Sequence, residues 1–181
     1  MKKVYLIRHG LPDFPGGRKM CLGSTDIPLS KAGLTQAVQM AASLPPVTAV
    51  FSSPLTRAVQ TAEAIGLPVT MLPGLREMDA GQWDGLTFDQ IRQRYPALYA
   101  ARGEDPSIPI PGAEDPAEAL RRFTAAMEEA AAAASGDFAV VAHGGIITHF
   151  LRSIGSTRQK PGYAEVIPLI RKDGAFSAKD L

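Results

Sequence analysis

Short apolar runs alternate along the chain with stretches whose apolar residues recur every three or four positions. Residues 4–7, 47–51, 68–72 and 138–142 form the runs; 4–7 and 138–142 read as buried strands, and 47–51 and 68–72 as further strand candidates. Ser30 reads as the N-cap of a helix that carries Leu34, Ala37, Val38, Ala41 and Leu44 at helical spacing, and Pro45-Pro46 stops it. Ser53-Pro54 reads as N-cap and first residue of a second helix, which runs to Ile65 and stops at Gly66. Thr87 with Gln90 is a capping-box pattern, opening a helix that ends before Pro96. Asp115-Pro116, with Glu118 at the third helical position, opens the strongest helical pattern. It continues through an alanine-rich stretch to Ala134, where Ser135-Gly136 ends it, and its small side chains predict close packing on a sheet. A shorter helix is expected over residues 146–154, with Gly155 as its stop. Residues 165–170 and 175–178 flank Lys172-Asp173-Gly174, a hairpin signal, and Pro168 marks the first of these as an edge strand. Residues 11–23 read as a loop and residues 102–112 as a surface excursion.

Strands and helices in alternation predict an α/β protein. The expected architecture is three-layer α/β/α, with a mostly parallel sheet, helices on both faces and an antiparallel edge strand or hairpin. A chain of 181 residues corresponds to one domain over 1–181 and is long enough to bury about 70% of its unfolded surface. Nineteen basic and eighteen acidic residues leave a formal charge of +1, which argues against nucleic-acid or anionic-membrane binding through bulk charge. No apolar run approaches the ~18 residues of a membrane span, and two lysines before four apolar residues are too little for a signal peptide. A cytoplasmic location is expected. One cysteine, Cys21, excludes an internal disulfide, and three histidines without a His-Glu-x-x-His spacing do not make a zinc site.

The reactive residues fall at strand ends. Arg8-His9 follows the first strand, His143 follows the run at 138–142, and Arg57 lies one turn into the helix after 47–51. Ligands of open α/β sheets bind outside the carboxyl ends of the strands, so a parallel sheet would bring these four side chains to one edge. Such a cluster suits phosphoryl transfer. Arginine offers a planar, always-charged fork for phosphate oxygens, and a neutral imidazole nitrogen is a competent nucleophile at neutral pH. The glycines beside both histidines would let a phosphate approach the backbone.

Five ordered blocks carry a resemblance. They are Leu6-Ile7-Arg8-His9-Gly10; Gly23-Ser24-Thr25-Asp26-Ile27-Pro28-Leu29-Ser30 with Gly33 and Gln36-Ala37; Phe51-Ser52-Ser53-Pro54-Leu55-Thr56-Arg57-Ala58 with Gln60-Thr61-Ala62; Leu75-Arg76-Glu77-Met78 with Gly81, Trp83 and Gly85; and Val140-Val141-Ala142-His143-Gly144-Gly145. Together they resemble the histidine phosphatase superfamily, in its phosphoglycerate mutase-like branch. The resemblance implies that His9 carries a phosphohistidine and that Arg8, Arg57 and His143 hold the phosphoryl group. It implies that Glu77 protonates the leaving oxygen and then takes a proton from water, and that Gly23, Ser24 and Gly144 face the substrate. It implies no metal and no cofactor; the partner is a small-molecule phosphomonoester.

Two departures qualify it. Many members carry an acidic residue directly after Arg-His-Gly and an asparagine four positions beyond; here those positions are Leu11 and Pro15. A phosphate-side hydrogen bond is then either missing or supplied by the loop around Arg18. The stretch 78–86 lacks the basic and tyrosine residues with which mutases grip a second phosphate, which favours hydrolysis over mutase chemistry. The segment 77–95, with Pro111-Gly112-Ala113-Glu114 and Arg121-Arg122-Phe123, looks most like alpha-ribazole phosphatase-like enzymes. The alternatives are a catalytically inactive relative that binds a phosphorylated ligand and, third, a phosphoglycerate mutase. Among the remaining residues, Trp83 reads as loop packing, His149 and Cys21 as structural, and Arg121-Arg122 as a solvated helix face. The oligomeric state is not written in the sequence.

Overall fold

The computed structural model describes residues 1–178. Its strands are β1 (Lys2–Arg8), β2 (Ala49–Ser52), β3 (Val69–Met71), β4 (Phe138–Ala142), β5 (Val166–Lys172) and β6 (Ala175–Ala178). Its helices are α1 (Lys31–Ser43), α2 (Thr56–Glu63), α3 (Phe88–Arg94), α4 (Pro96–Glu104), α5 (Pro116–Ala133) and α6 (Gly144–Ser153). The six strands form one sheet in the order β3-β2-β4-β1-β5-β6. The β3, β2, β4 and β1 strands are mutually parallel, and β5 and β6 complete the sheet antiparallel. This is the expected α/β/α arrangement.

The alternation along the central strands separates two cores. Val4, Leu6, Phe138, Val140 and Ala142 face one side, where α5 and α6 bury Phe123, Met127, Ile147 and Phe150 against them. Tyr5, Ile7, Ala139 and Val141 face the other side, against Met40 of α1 and Ala58 and Ala62 of α2. All five residues of β4 are buried, as a parallel strand covered on both faces requires. The alanines of α5 (Ala119, Ala126, Ala130, Ala131) are buried as well, the close packing that the alanine run predicts.

Five local expectations need correction. The buried face of α1 is Gly33, Ala37 and Met40, whereas Leu34 and Val38 are 45% and 63% exposed. Its rotation is set by backbone contact: a Cβ on Gly33 would lie 2.1 Å from the Leu11 carbonyl oxygen, and one on Gly10 would lie 2.6 Å from that of Gly33. Only two glycines permit that approach. Secondly, α2 begins at Thr56 rather than Pro54, and its cap comes from a distant residue, Asp26. The Asp26 carboxylate accepts from the Thr56 amide at 2.8 Å and from its hydroxyl at 2.7 Å. Thirdly, helix α4 occupies residues 96–104, part of which reads as irregular in the sequence, with Pro96 in its first turn. Fourthly, α6 starts at Gly144, two residues early. Finally, β5 is not an edge strand; it lies between β1 and β6. Pro168 pairs with Tyr5 of β1, and among the described residues β5 pairs with β6 from Leu169 to Lys172.

Candidate active site

The parallel register places the carboxyl ends of β2, β4 and β1 side by side: Arg8 pairs with Ala142, and Ser52 with Val141. The residues that follow these strands meet there. The rings of His9 and His143 are 5.1 Å apart, centroid to centroid, and both residues are buried. Arg57, fully buried, joins them from the first turn of α2.

The hydrogen bonds of His9 define its reactive atom. Its Nδ1 lies 2.7 Å from the Gly10 carbonyl oxygen, which can only accept, so Nδ1 carries the hydrogen and Nε2 keeps its lone pair. Burial, followed by the charges of Arg57 and Arg8, pushes the pKa of His9 down to about 3. The ring is therefore neutral at pH 7. His143 is likewise held well below the usual range by burial and then by Arg57. Its Nε2 is 2.8 Å from Ser53 Oγ, which accepts from the Leu55 amide at 3.3 Å and has its own hydrogen to give. With Ser53 donating to Nε2, the hydrogen of His143 sits on Nδ1, a buried atom without a partner.

The two arginines are held from behind. Arg57 donates to the carbonyls of Thr25 (2.9 Å) and Gly23 (3.2 Å), and Asp26 lies 3.8 Å away. That loop is itself fixed by Asp84, whose carboxylate accepts from the amides of Gly23 (2.6 Å) and Thr25 (2.7 Å). Arg8 donates to the Pro161 carbonyl at 2.7 Å, and its guanidinium lies 3.8 Å above the centre of the Tyr163 ring. Burial lowers the pKa of both arginines, yet an arginine stays charged at any working pH. The Nε atoms of Arg8 and Arg57 are, like His143 Nδ1, buried donors without a partner. Buried polar atoms without partners are rare in folded proteins, and three of them meet at this edge.

Glu77 reaches the same edge from the turn before α3. One carboxylate oxygen accepts from the Gly145 amide at 2.8 Å; the other accepts from the amides of Ile146 (2.8 Å) and Met78 (3.0 Å). The carboxylate thus occupies the positive end of α6. A Cβ on Gly145 would come within 2.8 Å of it, so a larger residue there would push the Glu77 carboxylate aside.

The structure thus brings Arg8, His9, Arg57, Glu77, His143 and Gly144 together. Gly23 is beside them, where its carbonyl serves Arg57. The Ser24 hydroxyl turns away and donates to Asp79 at 2.5 Å. Arg18 is exposed and its side chain makes no hydrogen bond or ion pair among the described residues; a cation beside Arg8 is Lys160, from the opposite end of the chain. Three supporting residues are invisible at the sequence level. Arg122 is not a solvated residue: it pairs with Glu114 at 2.7 Å and donates to the carbonyls of Gly74, Arg76 and Glu77. Thr61 accepts from the Gly10 amide at 3.0 Å, and Tyr163 underlies Arg8. Cys21 is no nucleophile at neutral pH, since burial pushes its thiol up to about 11.

A profile of the histidine phosphatase superfamily (branch 1) matches residues 4–165. The chain belongs to that family. A glucosyl-3-phosphoglycerate phosphatase of Mycobacterium tuberculosis is 34% identical over 162 residues, covering 81% of this chain and 72% of that protein. A solved structure of a mycobacterial glucosyl-3-phosphoglycerate phosphatase in complex with VO3 superposes with a TM-score of 0.80 at 30% identity, covering 94% of this chain and 93% of that one. The structure of Bacillus stearothermophilus YhfR gives a TM-score of 0.86 at 25% identity, covering 99% and 96%. Against a bifunctional protein of Mycobacterium tuberculosis, 35% identical over 127 residues, the chain spans 35% of the relative's length. The particular closeness to alpha-ribazole phosphatases expected from the sequence is not shown by these matches, which include glucosyl-3-phosphoglycerate phosphatases.

Proposed function

We propose that this histidine phosphatase superfamily member is a metal-independent phosphomonoesterase that works through a phosphohistidine on His9. The observation that carries this reading is the neutral His9 imidazole, its Nε2 lone pair left free by the Nδ1 bond to Gly10, beside three buried, unpartnered N–H donors. A phosphoryl group set among Arg8 Nε, Arg57 Nε and His143 Nδ1 gives each donor an acceptor and faces two fixed positive charges. Arginines positioned before the reaction stabilise charge on the transferring group without reorganising.

In the first step His9 Nε2 bonds to phosphorus as the bond to the ester oxygen breaks, and Glu77, protonated, delivers its proton to that oxygen. In the second step water attacks phosphorus, its proton passes to Glu77, and the P–N bond breaks to release phosphate and neutral His9. The amides of Gly145 and Ile146 hold the Glu77 carboxylate while it waits between the steps.

The substrate is a small phosphorylated metabolite. Alpha-ribazole phosphate and glucosyl-3-phosphoglycerate both belong in the first panel, the former on the sequence pattern and the latter on the names of relatives. The decisive experiment is labelling with a 32P-monoester, quenched in alkaline detergent. Wild type accumulates acid-labile, base-stable label, and His9→Ala has neither label nor turnover of p-nitrophenyl phosphate while keeping its far-UV circular dichroism. Turnover that survives in His9→Ala removes the nucleophile. Ligand binding without label or turnover in wild type establishes the inactive binder instead.

A further inference from the structure

The positive charge at this site exceeds what one phosphoryl group uses. Arg8 and Arg57 are committed to it by their positions beside His9. Lys160, from the loop between α6 and β5, is a third cation. Its stem lies on Gly144: a Cβ there would be 2.6 Å from Lys160 Cε and 3.0 Å from Arg8 Nε, so the lysine and the arginine run side by side over the same glycine. The Lys160 ammonium makes no hydrogen bond or ion pair among the described residues. Its neighbours by charge are Arg8, Glu77 and Lys19, and the pKa of Lys160 is lowered, first by its packing and then by Arg8. Glu77 is the one carboxylate among those neighbours, and its oxygens are engaged by backbone amides rather than by the ammonium.

A cavity of about 430 Å³ adjoins the same edge, lined among others by Leu11, Phe14, Lys19 and Tyr163. Tyr163 is the shared wall: its ring centre is 5.8 Å from that of His9, with Arg8 stacked on it. This space is the size of a small-molecule pocket and carries apolar and aromatic surface for the alcohol part of an ester. Asp13 also borders it, so the cavity wall carries one charge of each sign, Asp13 and Lys19.

We propose that Lys160 is a specificity residue that binds a second acidic group on the alcohol of the substrate, so that the site prefers phosphomonoesters whose leaving group bears a carboxylate or a second phosphate. The inference rests on the phosphatase reading above and narrows it to a substrate class. A neutral alcohol would leave the ammonium unpaired beside Arg8, whereas an anionic one gives it a partner.

A matched pair of substrates tests this. 3-Phosphoglycerate and glycerol 3-phosphate differ in one position, carboxylate against hydroxymethyl. Wild type is expected to favour 3-phosphoglycerate at least tenfold in kcat/KM. Lys160→Met keeps the stem on Gly144 and removes the charge; it should abolish that preference by raising KM for 3-phosphoglycerate about tenfold with kcat within twofold, and Lys160→Arg should restore most of it. Fructose 1,6-bisphosphate against fructose 6-phosphate shows whether a phosphate serves as well as a carboxylate. If Lys160→Met weakens both members of the matched pair equally, the lysine serves the transferring phosphoryl group and the proposal is overturned. Equal use of the pair by wild type overturns it too. Turnover of p-nitrophenyl phosphate by wild type reads the phosphatase assignment separately; without turnover, the same comparison is made by calorimetric binding.

Discussion

At the scale of single residues, the site depends on who holds whom. The tautomer of His9 is set by a carbonyl one residue away, His143 is held by Ser53, and Arg57 is fixed by two carbonyls of a loop that Asp84 secures. Glu77 depends on Gly145 and on Arg122, which grips the carbonyl of Glu77 itself at 3.0 Å. If Glu77 is the proton donor to the leaving oxygen, Glu77→Gln should slow alkyl phosphates by about 10²–10⁴-fold, the usual span of general acid catalysis. The same variant should lose far less on p-nitrophenyl phosphate, whose leaving group departs without a proton. Steady-state rates on the two ester types measure this, and equal losses would assign Glu77 to positioning alone. The charged and glycine positions of this network stand in the sequence, but their partners lie 30 to 70 positions away, and no local pattern announces them.

At the scale of elements, helix capping and strand runs were legible because they are local. Ser30 accepts from Gly33, the Thr87–Gln90 capping box forms as its spacing predicts, and Asp115 caps α5. The buried face of α1 was not legible. Apolar periodicity favours Leu34 and Val38, and the glycine contact to the Arg-His-Gly turn overrides it. Gly33→Ala should therefore do two things at once: lower stability by about 1–3 kcal/mol, as overpacking does, and reduce turnover by displacing Gly10 next to His9. Val38→Gln, on the exposed side, should change stability by less than about 0.5 kcal/mol. Thermal melts with parallel rate measurements decide, and a Gly33→Ala protein that matches wild type in both would refute the close approach.

At the scale of the whole molecule, burying two neutral histidines has a consequence for acid stability. Above pH 6.5 both are neutral whether the chain is folded or not. As pH falls below 6.5 the unfolded chain takes up protons that the folded one refuses, and stability drains until the folded pKa, about 3 for His9, is passed. The slope is up to about 1.4 kcal/mol per pH unit for each imidazole. Urea midpoints at pH 7, 6 and 5 should fall, and His143→Gln should flatten the fall by about one imidazole's share. A wild-type midpoint constant over that range would mean that the histidines are charged in the fold.

The sequence alone determined the alternation of elements, the caps at Ser30, Thr87 and Asp115, and the placement of Arg8, His9, Arg57 and His143 at one sheet edge, because short-range sterics and the two periodicities of backbone structure specify these. The motif pattern added Glu77, for which local physics offered no warrant: a glutamate in a loop is ordinarily solvated. Only the tertiary structure decided that β5 pairs inside the sheet, that Arg122 holds Glu77, and that Lys160 and Tyr163 close the site from the far end of the chain. Those contacts join residues distant in sequence through sheet register and backbone approach, and register is a property of the assembled strands rather than of any one of them.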